Sequence, residues 1–248
     1  MSTNFEKLGS TWRMVGAALA AALLAGTGVW YWQGGSAPAA GDKAAIEQVV
    51  REYILAHPEI LPQAMENLQK REAAKQLVGV QDDIEVPFPG AVLGNPDGKV
   101  TLVEFSDFAC TYCKHSEADV AALIAANPDL KVVVRQLPIL SDESTAAARM
   151  GLAAARQGLY PAFHHAMYAA GRPDAATIDA AARAAGLDLA RAQRDIADPG
   201  IERELQRNLE LARQLGFNGT PSWVIGEEMH AGAVGREVLA EAIAKARG

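Results

Sequence analysis

Apolar and polar residues change their spacing several times along the 248-residue chain, and each change marks a different kind of element. From Met14 to Trp32 the residues are uncharged and rich in Ala, Leu, Val and Gly. That run is close to the roughly 20 apolar residues a membrane-spanning helix needs. Trp30, Tyr31 and Trp32 end it as interfacial aromatics would. Lys7 and Arg13 precede the run and no positive charge follows it directly. This places residues 1–13 in the cytoplasm as a short tail and the rest of the chain outside. The small residues Ala37-Pro38-Ala39 leave a cleaved signal peptide as the alternative to a 14–32 anchor.

Residues 33–42 are small and read as a linker. Helical spacing then takes over across 43–78. Ile46, Val49, Val50, Tyr53 and Ile54 form one apolar stripe, and Ile60, Leu61, Ala64, Met65 and Leu68 form a second. Pro58 between them is expected in the first turn of the second helix, where proline is tolerated. These stripes need a cover. Packing on the rest of the chain and self-association as a stalk are both open.

Pro87 to Gly98 is dense in turn signals. Val100–Phe105 reads as a short buried strand, Thr111–Ala126 as a helix and Lys131–Leu137 as a second strand. This order implies a parallel pair with a right-handed crossover. Residues from about 141 to 216 are rich in Ala, Leu, Arg and Gln and read as three or four helices, with breaks at Gly158, Gly171–Asp174, Gly186 and Pro199-Gly200. Strand signals return at Ser222–Ile225 and near His230–Val234, and Glu237–Ala246 reads as a closing helix. The expected class is α/β: a β–α–β half and a β–β–α half with a helical domain inserted between them. Together they form one domain over 79–248, preceded by helices and one membrane-spanning segment.

Half of the residues are hydrophobic and 21% are charged, with a formal net charge of -7. An acidic balance argues against nucleic acid as a partner, since phosphate binding needs a basic surface. Only two cysteines occur, Cys110 and Cys113. One Cys-x-x-Cys cannot fill a tetrahedral zinc site, and no histidines lie at finger-like spacing. A structural disulfide closing so short a loop would constrain the unfolded chain little. Redox chemistry with neither metal nor cofactor is the favoured reading. Cys110 falls between a strand and a helix, where free N–H groups and the helix dipole favour a thiolate. Cys113, one turn on, can resolve a mixed disulfide. Cys110 is therefore expected to be the exposed nucleophile and Cys113 its buried partner.

The stretch Val103-Glu104-Phe105-Ser106-Asp107-Phe108-Ala109-Cys110-Thr111-Tyr112-Cys113-Lys114 resembles the active-site strand and helix of DsbA-like proteins of the thioredoxin superfamily. Gly219-Thr220-Pro221-Ser222-Trp223-Val224 is similar to their second signature, and Arg135-Gln136-Leu137-Pro138-Ile139-Leu140 to the strand leading into their helical insertion. The helices of 43–78 resemble those of the ScsC-like branch, some members of which self-associate. The resemblance implies a thioredoxin fold and thiol–disulfide exchange. It implies a cis Pro221 facing the cysteines, with the Thr220 backbone offered to a bound substrate strand. It further implies that Glu104 exchanges a proton with Cys113; the bland alternative is a solvent-facing acid at a strand end.

Thr111-Tyr112 departs from the Pro-His of the strong oxidant DsbA and from the Pro-Tyr usual in the ScsC-like branch. Thr111 can donate a hydrogen bond to Cys110 or cap the helix. This departure, with Thr220, tilts the expectation towards an isomerase or a balanced oxidoreductase. The implied partners are exported proteins carrying thiols or disulfides and an unidentified membrane redox partner. The competing reading is a redox-independent binding or chaperone module; a thiol peroxidase or transferase is a third. His115 reads as a solvated helix residue, His164-His165 as one packed and one wet side chain, Trp223 as core, and the charges of Glu202–Arg213 as a solvated face.

Overall fold

The computed structural model describes residues 40–247, which divide into one unit up to Gln63 and a second from Ala64. The proposed 14–32 membrane segment and most of the 33–42 linker lie outside the described residues. Among the described residues no helix is long and apolar enough to cross a membrane.

The first unit holds α1 (Ala40–Ala56) and the start of α2 (Ile60–Leu77). Pro58 does not open α2 but sits in the turn before it. Ile60 N–H bonds to the His57 carbonyl at 3.1 Å and Leu61 N–H to the Pro58 carbonyl at 3.2 Å. These i→i+3 bonds make a tight turn, and α2 begins only after it. On α1, Ile46, Val49, Val50 and Tyr53 are all exposed.

The second unit is built on a five-stranded sheet in the order β1-β3-β2-β4-β5. β1 is Val92–Gly94, β2 Val100–Ser106, β3 Leu130–Gln136, β4 Ser222–Ile225 and β5 Glu228–Ala231. β2 and β3 run parallel and every other pair is antiparallel. The parallel pair is joined by α4 (Thr111–Ala126), as the strand–helix–strand pattern predicts. A short helix, α3 (Gln81–Glu85), precedes the sheet.

Sequence periodicity misses α3 and β1. β1 has three residues, too few to display alternation, and exists because it pairs with β3 from Val92↔Val133 to Gly94↔Lys131. β5 begins two residues earlier than its sequence signal.

Between β3 and β4 lie five helices rather than three or four: α5 (Asp142–Arg156), α6 (Tyr160–Ala170), α7 (Ala175–Ala184), α8 (Leu189–Ile196) and α9 (Pro199–Gln214). The Pro199-Gly200 break is a start. Asp198 caps α9 and Pro199 takes its first turn. α10 (Arg236–Lys245) closes the chain.

The sheet separates two apolar clusters. Leu102, Val132, Val134 and Trp223 face α4 and the inserted helices, whereas Val103, Phe105, Val133 and Val224 face Leu211, Leu215 and Ile84. The mixed sheet with its helical insertion matches the class expected from the sequence.

Candidate active site at the dithiol

The chain leaves β2 at Ser106 and turns on Asp107, a buried acid whose carboxylate ties three backbone amides. Oδ1 accepts from Ala109 at 2.8 Å, and Oδ2 accepts from Ile139 at 3.0 Å and Leu140 at 3.1 Å. The loop after β2 is thus fastened to the loop after β3. The Cys110 N–H bonds to the Asp107 carbonyl at 2.9 Å, which delivers the cysteine to the N-cap of α4. Phe108 packs edge-on against Phe163 and beside Tyr168. Gly151 lets α5 come this close, because a Cβ there would meet the Phe108 ring at 3.2 Å.

Both cysteines are free thiols. Cys113 N–H donates to the Cys110 sulfur at 3.4 Å, and the Cys110 thiol donates to the Thr220 carbonyl at 3.2 Å. Thr220 belongs to a cis peptide bond with Pro221, the isomer the resemblance implies. This loop lies against Cys110, so the residue is not openly exposed as anticipated: Cys110 retains only 6% exposure, against none for Cys113. Access runs through a groove of about 320 Å³ lined by Phe108, Ala109, Thr111, Lys114, His115 and Arg172. Cys110 itself caps α4, so Thr111 is not the cap.

Several donors converge on the Cys110 sulfur. The Cys113 thiol contributes most, followed by the Thr220 side chain and the N–H groups of Cys113 and Tyr112, and together they pull the Cys110 pKa down to about 5. In the thiol form the buried Thr220 hydroxyl has no partner among the described residues, so it is available to the thiolate. Cys113 moves the opposite way. Its hydrogen bond to Cys110, its burial and the nearby Glu104 all hold its proton on. The pair is polarised into one ready thiolate and one reluctant thiol.

Glu104 lies opposite Val134 and Trp223 in the sheet and is 1% exposed, which removes the solvent-facing alternative. Burial raises its pKa to about 7, and its Oε2 has no hydrogen-bond partner among the described residues. A carboxyl poised near neutrality beside a thiol that holds its proton is equipped for proton exchange. The structure therefore gathers Cys110, Cys113, Glu104, Thr220 and Pro221, spread over more than a hundred positions, into one site. No group of side chains suited to a metal ion occurs among the described residues.

Sequence reading missed Asp107 and the importance of Glu117. Asp107 had a signal, since an acid directly after a buried strand is a natural turn residue. Glu117 had none, because its partner His164 is 47 positions away. The His164-His165 reading holds: His164 is fully buried, and the His165 side chain is 60% exposed.

A family described as the DSBA-like thioredoxin domain matches residues 101–244, and the copper resistance protein ScsC N-terminal domain matches residues 42–75. A thioredoxin-like oxidoreductase from Silicibacter pomeroyi is 42% identical, with a TM-score of 0.61, over 63% of this chain and 91% of that one. A linker-deletion variant of ScsC from Proteus mirabilis is 27% identical, with a TM-score of 0.64, over 86% of this chain and 98% of that one. Among curated proteins, the Na(+)/H(+) antiporter NhaA 1 of Salinispora arenicola is 29% identical over 182 residues, 70% of this chain. The chain spans only 28% of that relative's length.

Proposed function

This chain belongs to the DSBA-like thioredoxin domain family, and from that premise we propose that it exchanges disulfides with exported proteins through Cys110 and Cys113. The observation that carries this reading is the polarised pair: a thiolate-favouring Cys110 at a helix N-cap against the Thr220–Pro221 loop, with Cys113 buried behind it.

The Cys110 thiolate attacks a client disulfide. A mixed disulfide forms and one client thiolate leaves. Glu104, as carboxylate, takes the Cys113 proton. The freed Cys113 sulfur then attacks the Cys110 sulfur, a Cys110–Cys113 disulfide forms, and the second client thiolate leaves and is protonated. Run backwards, the same steps oxidise a client dithiol, and run in succession on one client they reshuffle it. Thr220 holds the client strand through its backbone, and Pro221 shapes the loop that presents it. We read residues 43–78 as a self-association stalk, supported by the exposed apolar stripe on α1 and by the ScsC-like match. We place the catalytic domain on the extracytoplasmic side, where disulfides persist. A membrane redox partner resets the pair there.

The test is refolding of scrambled ribonuclease by the full chain in mildly reducing glutathione, beside Cys110→Ser. Recovery of ribonuclease activity with the native sequence and none with the variant is the expected result, and it identifies an isomerase. Failure there combined with oxidation of a reduced peptide identifies an oxidase. Activity that survives Cys110→Ser overturns the redox reading in favour of a binding module.

A further inference from the structure

The sheet face that carries Glu104 is roofed by α6. Tyr160, His164 and Tyr168, each four residues apart, form a buried stripe along that helix. Both ends of the stripe are pinned to the sheet. The Tyr160 hydroxyl accepts from Gln136 Nε2 at 2.8 Å. The Tyr168 hydroxyl meets Ser106 Oγ at 2.8 Å and donates to the Asp107 carbonyl at 3.2 Å. Gln136 and Ser106 are register partners at the ends of β3 and β2. Ser106 lies two residues beyond Glu104 and so on the same face. His164, midway between the two tyrosines, is held over the strand that bears Glu104.

His164 is itself clamped. Its Nε2 lies 2.7 Å from Glu117 Oε1 and its Nδ1 lies 3.3 Å from the Tyr160 hydroxyl. The other Glu117 oxygen meets His165 Nδ1 at 3.2 Å, and His165 reaches solvent. A buried histidine–carboxylate pair is seldom the most stable way to fill a core, since desolvation offsets much of the attraction. Here the pair stands beside the dithiol. We propose that His164, oriented by Glu117, is a positioning residue that governs proton exchange between Glu104 and Cys113. The inference rests on the role given to Glu104 above.

The titratable and polar groups facing Glu104 are Cys110, Cys113 and Glu117 from α4, Tyr160, His164 and Tyr168 from α6, and Ser106 on its own strand. Burial is the strongest influence on the carboxyl. Among charges, a proton on His164 favours the carboxylate most, and the Glu117 carboxylate opposes it. Removing His164 therefore leaves Glu104 protonated to higher pH. Fewer molecules can then accept the Cys113 proton, and attack on the mixed disulfide slows.

The experiment mixes the reduced full chain with oxidised glutathione and follows release of the second glutathione thiol across pH. His164→Gln should move the midpoint of that step upward by about one pH unit, roughly a tenfold slowing just below the native midpoint. In a Glu104→Gln background the same change should do nothing. If Glu104→Gln alone leaves the native profile intact, the role of Glu104 fails and this inference with it. If Glu104→Gln erases the pH step but His164→Gln does not move it, the role of Glu104 stands and this inference is overturned. The carbon-13 resonance of the Glu104 carboxyl gives a second readout on folded protein: its midpoint should lie higher in His164→Gln than in the native sequence. His164→Asn takes the place of His164→Gln if the latter fails to fold. Coincident midpoints overturn the inference.

Discussion

Arg135, on one face of the sheet, donates to five acceptors, whereas Glu104, on the other, leaves an oxygen with no hydrogen-bond partner among the described residues. Arg135 donates through Nε to the Ile84 carbonyl at 3.1 Å. It donates through one terminal nitrogen to Glu204 at 2.8 Å and Asn208 at 3.1 Å, and through the other to the Asp83 and Val86 carbonyls. Burial pulls its pKa down and the Glu204 carboxylate pushes back. Every donor direction of the guanidinium is used, so the charge serves as a rivet joining β3, α3 and α9. Glu104 is equally buried, yet its Oε2 is unpaired and its proton is held to about pH 7. A buried charge that is fully satisfied builds structure. One left partly unsatisfied is free to titrate, and it stands near the buried Cys113 thiol.

The contrast breaks most sharply at Arg135. Arg135→Ala strips partners from three carbonyls and takes from Glu204 its hydrogen-bonded cation, and should cost about 3–5 kcal/mol in urea unfolding. A loss below about 1 kcal/mol would mean that the rivet is dispensable.

The next effect has the opposite sign. The folded pKa of Glu104 is raised from 4.5 to about 7, so the fold favours the neutral acid. That contribution is fully present below the unfolded value and is lost as pH rises through the folded one. Glu104→Gln, permanently neutral, should therefore match the native protein near about pH 4 and exceed it by on the order of 3 kcal/mol at about pH 8. Thermal melts of the reduced proteins at the two pH values check this, and a variant less stable at the higher pH contradicts it.

The smallest effect refines the account of Arg135. Glu204→Gln keeps an acceptor for the guanidinium and removes only the charge. It should cost about 1 kcal/mol, because three backbone carbonyls and Asn208 still hold Arg135. A cost equal to that of Arg135→Ala would mean that the ion pair, not the carbonyl cradle, carries the rivet.

These two centres differ also in how legible they are. Cys110, Cys113 and the helix they begin stand out because a Cys-x-x-Cys after a buried strand has few other uses, and α4 falls on the residues its spacing predicts. Pro221, Thr220 and Glu104 become legible only through the resemblance, since a Gly-Thr-Pro or an acid in a strand is commonplace by itself. Arg135 reads simply as a polar strand residue. Its partners Glu204 and Asn208 lie 69 and 73 positions away, and no local pattern can announce them. β1 and α3 escape for a related reason: each is too short to carry periodicity and is defined by what it packs against. The division of the helical block into five is written in its caps, Asp174, Asp188 and Asp198, which mark helix starts more reliably than the glycines mark ends.

The bond between Cys110 and the Thr220 carbonyl joins residues 110 positions apart, with the whole helical block threaded between them. Closing such a span carries a chain-entropy cost that grows as the logarithm of its length, about 0.6 kcal/mol for each doubling. Helices that fold on themselves shorten the effective span and make that closure affordable. Until β4 docks on β2, Cys110 lacks the Thr220 loop, and before α4 is wound its pKa belongs to the ordinary thiol range near 9.0. Reactivity is thus a late product of maturation. An unfinished chain carries two quiet thiols, and the reactive thiolate is armed only when the second half of the sheet arrives.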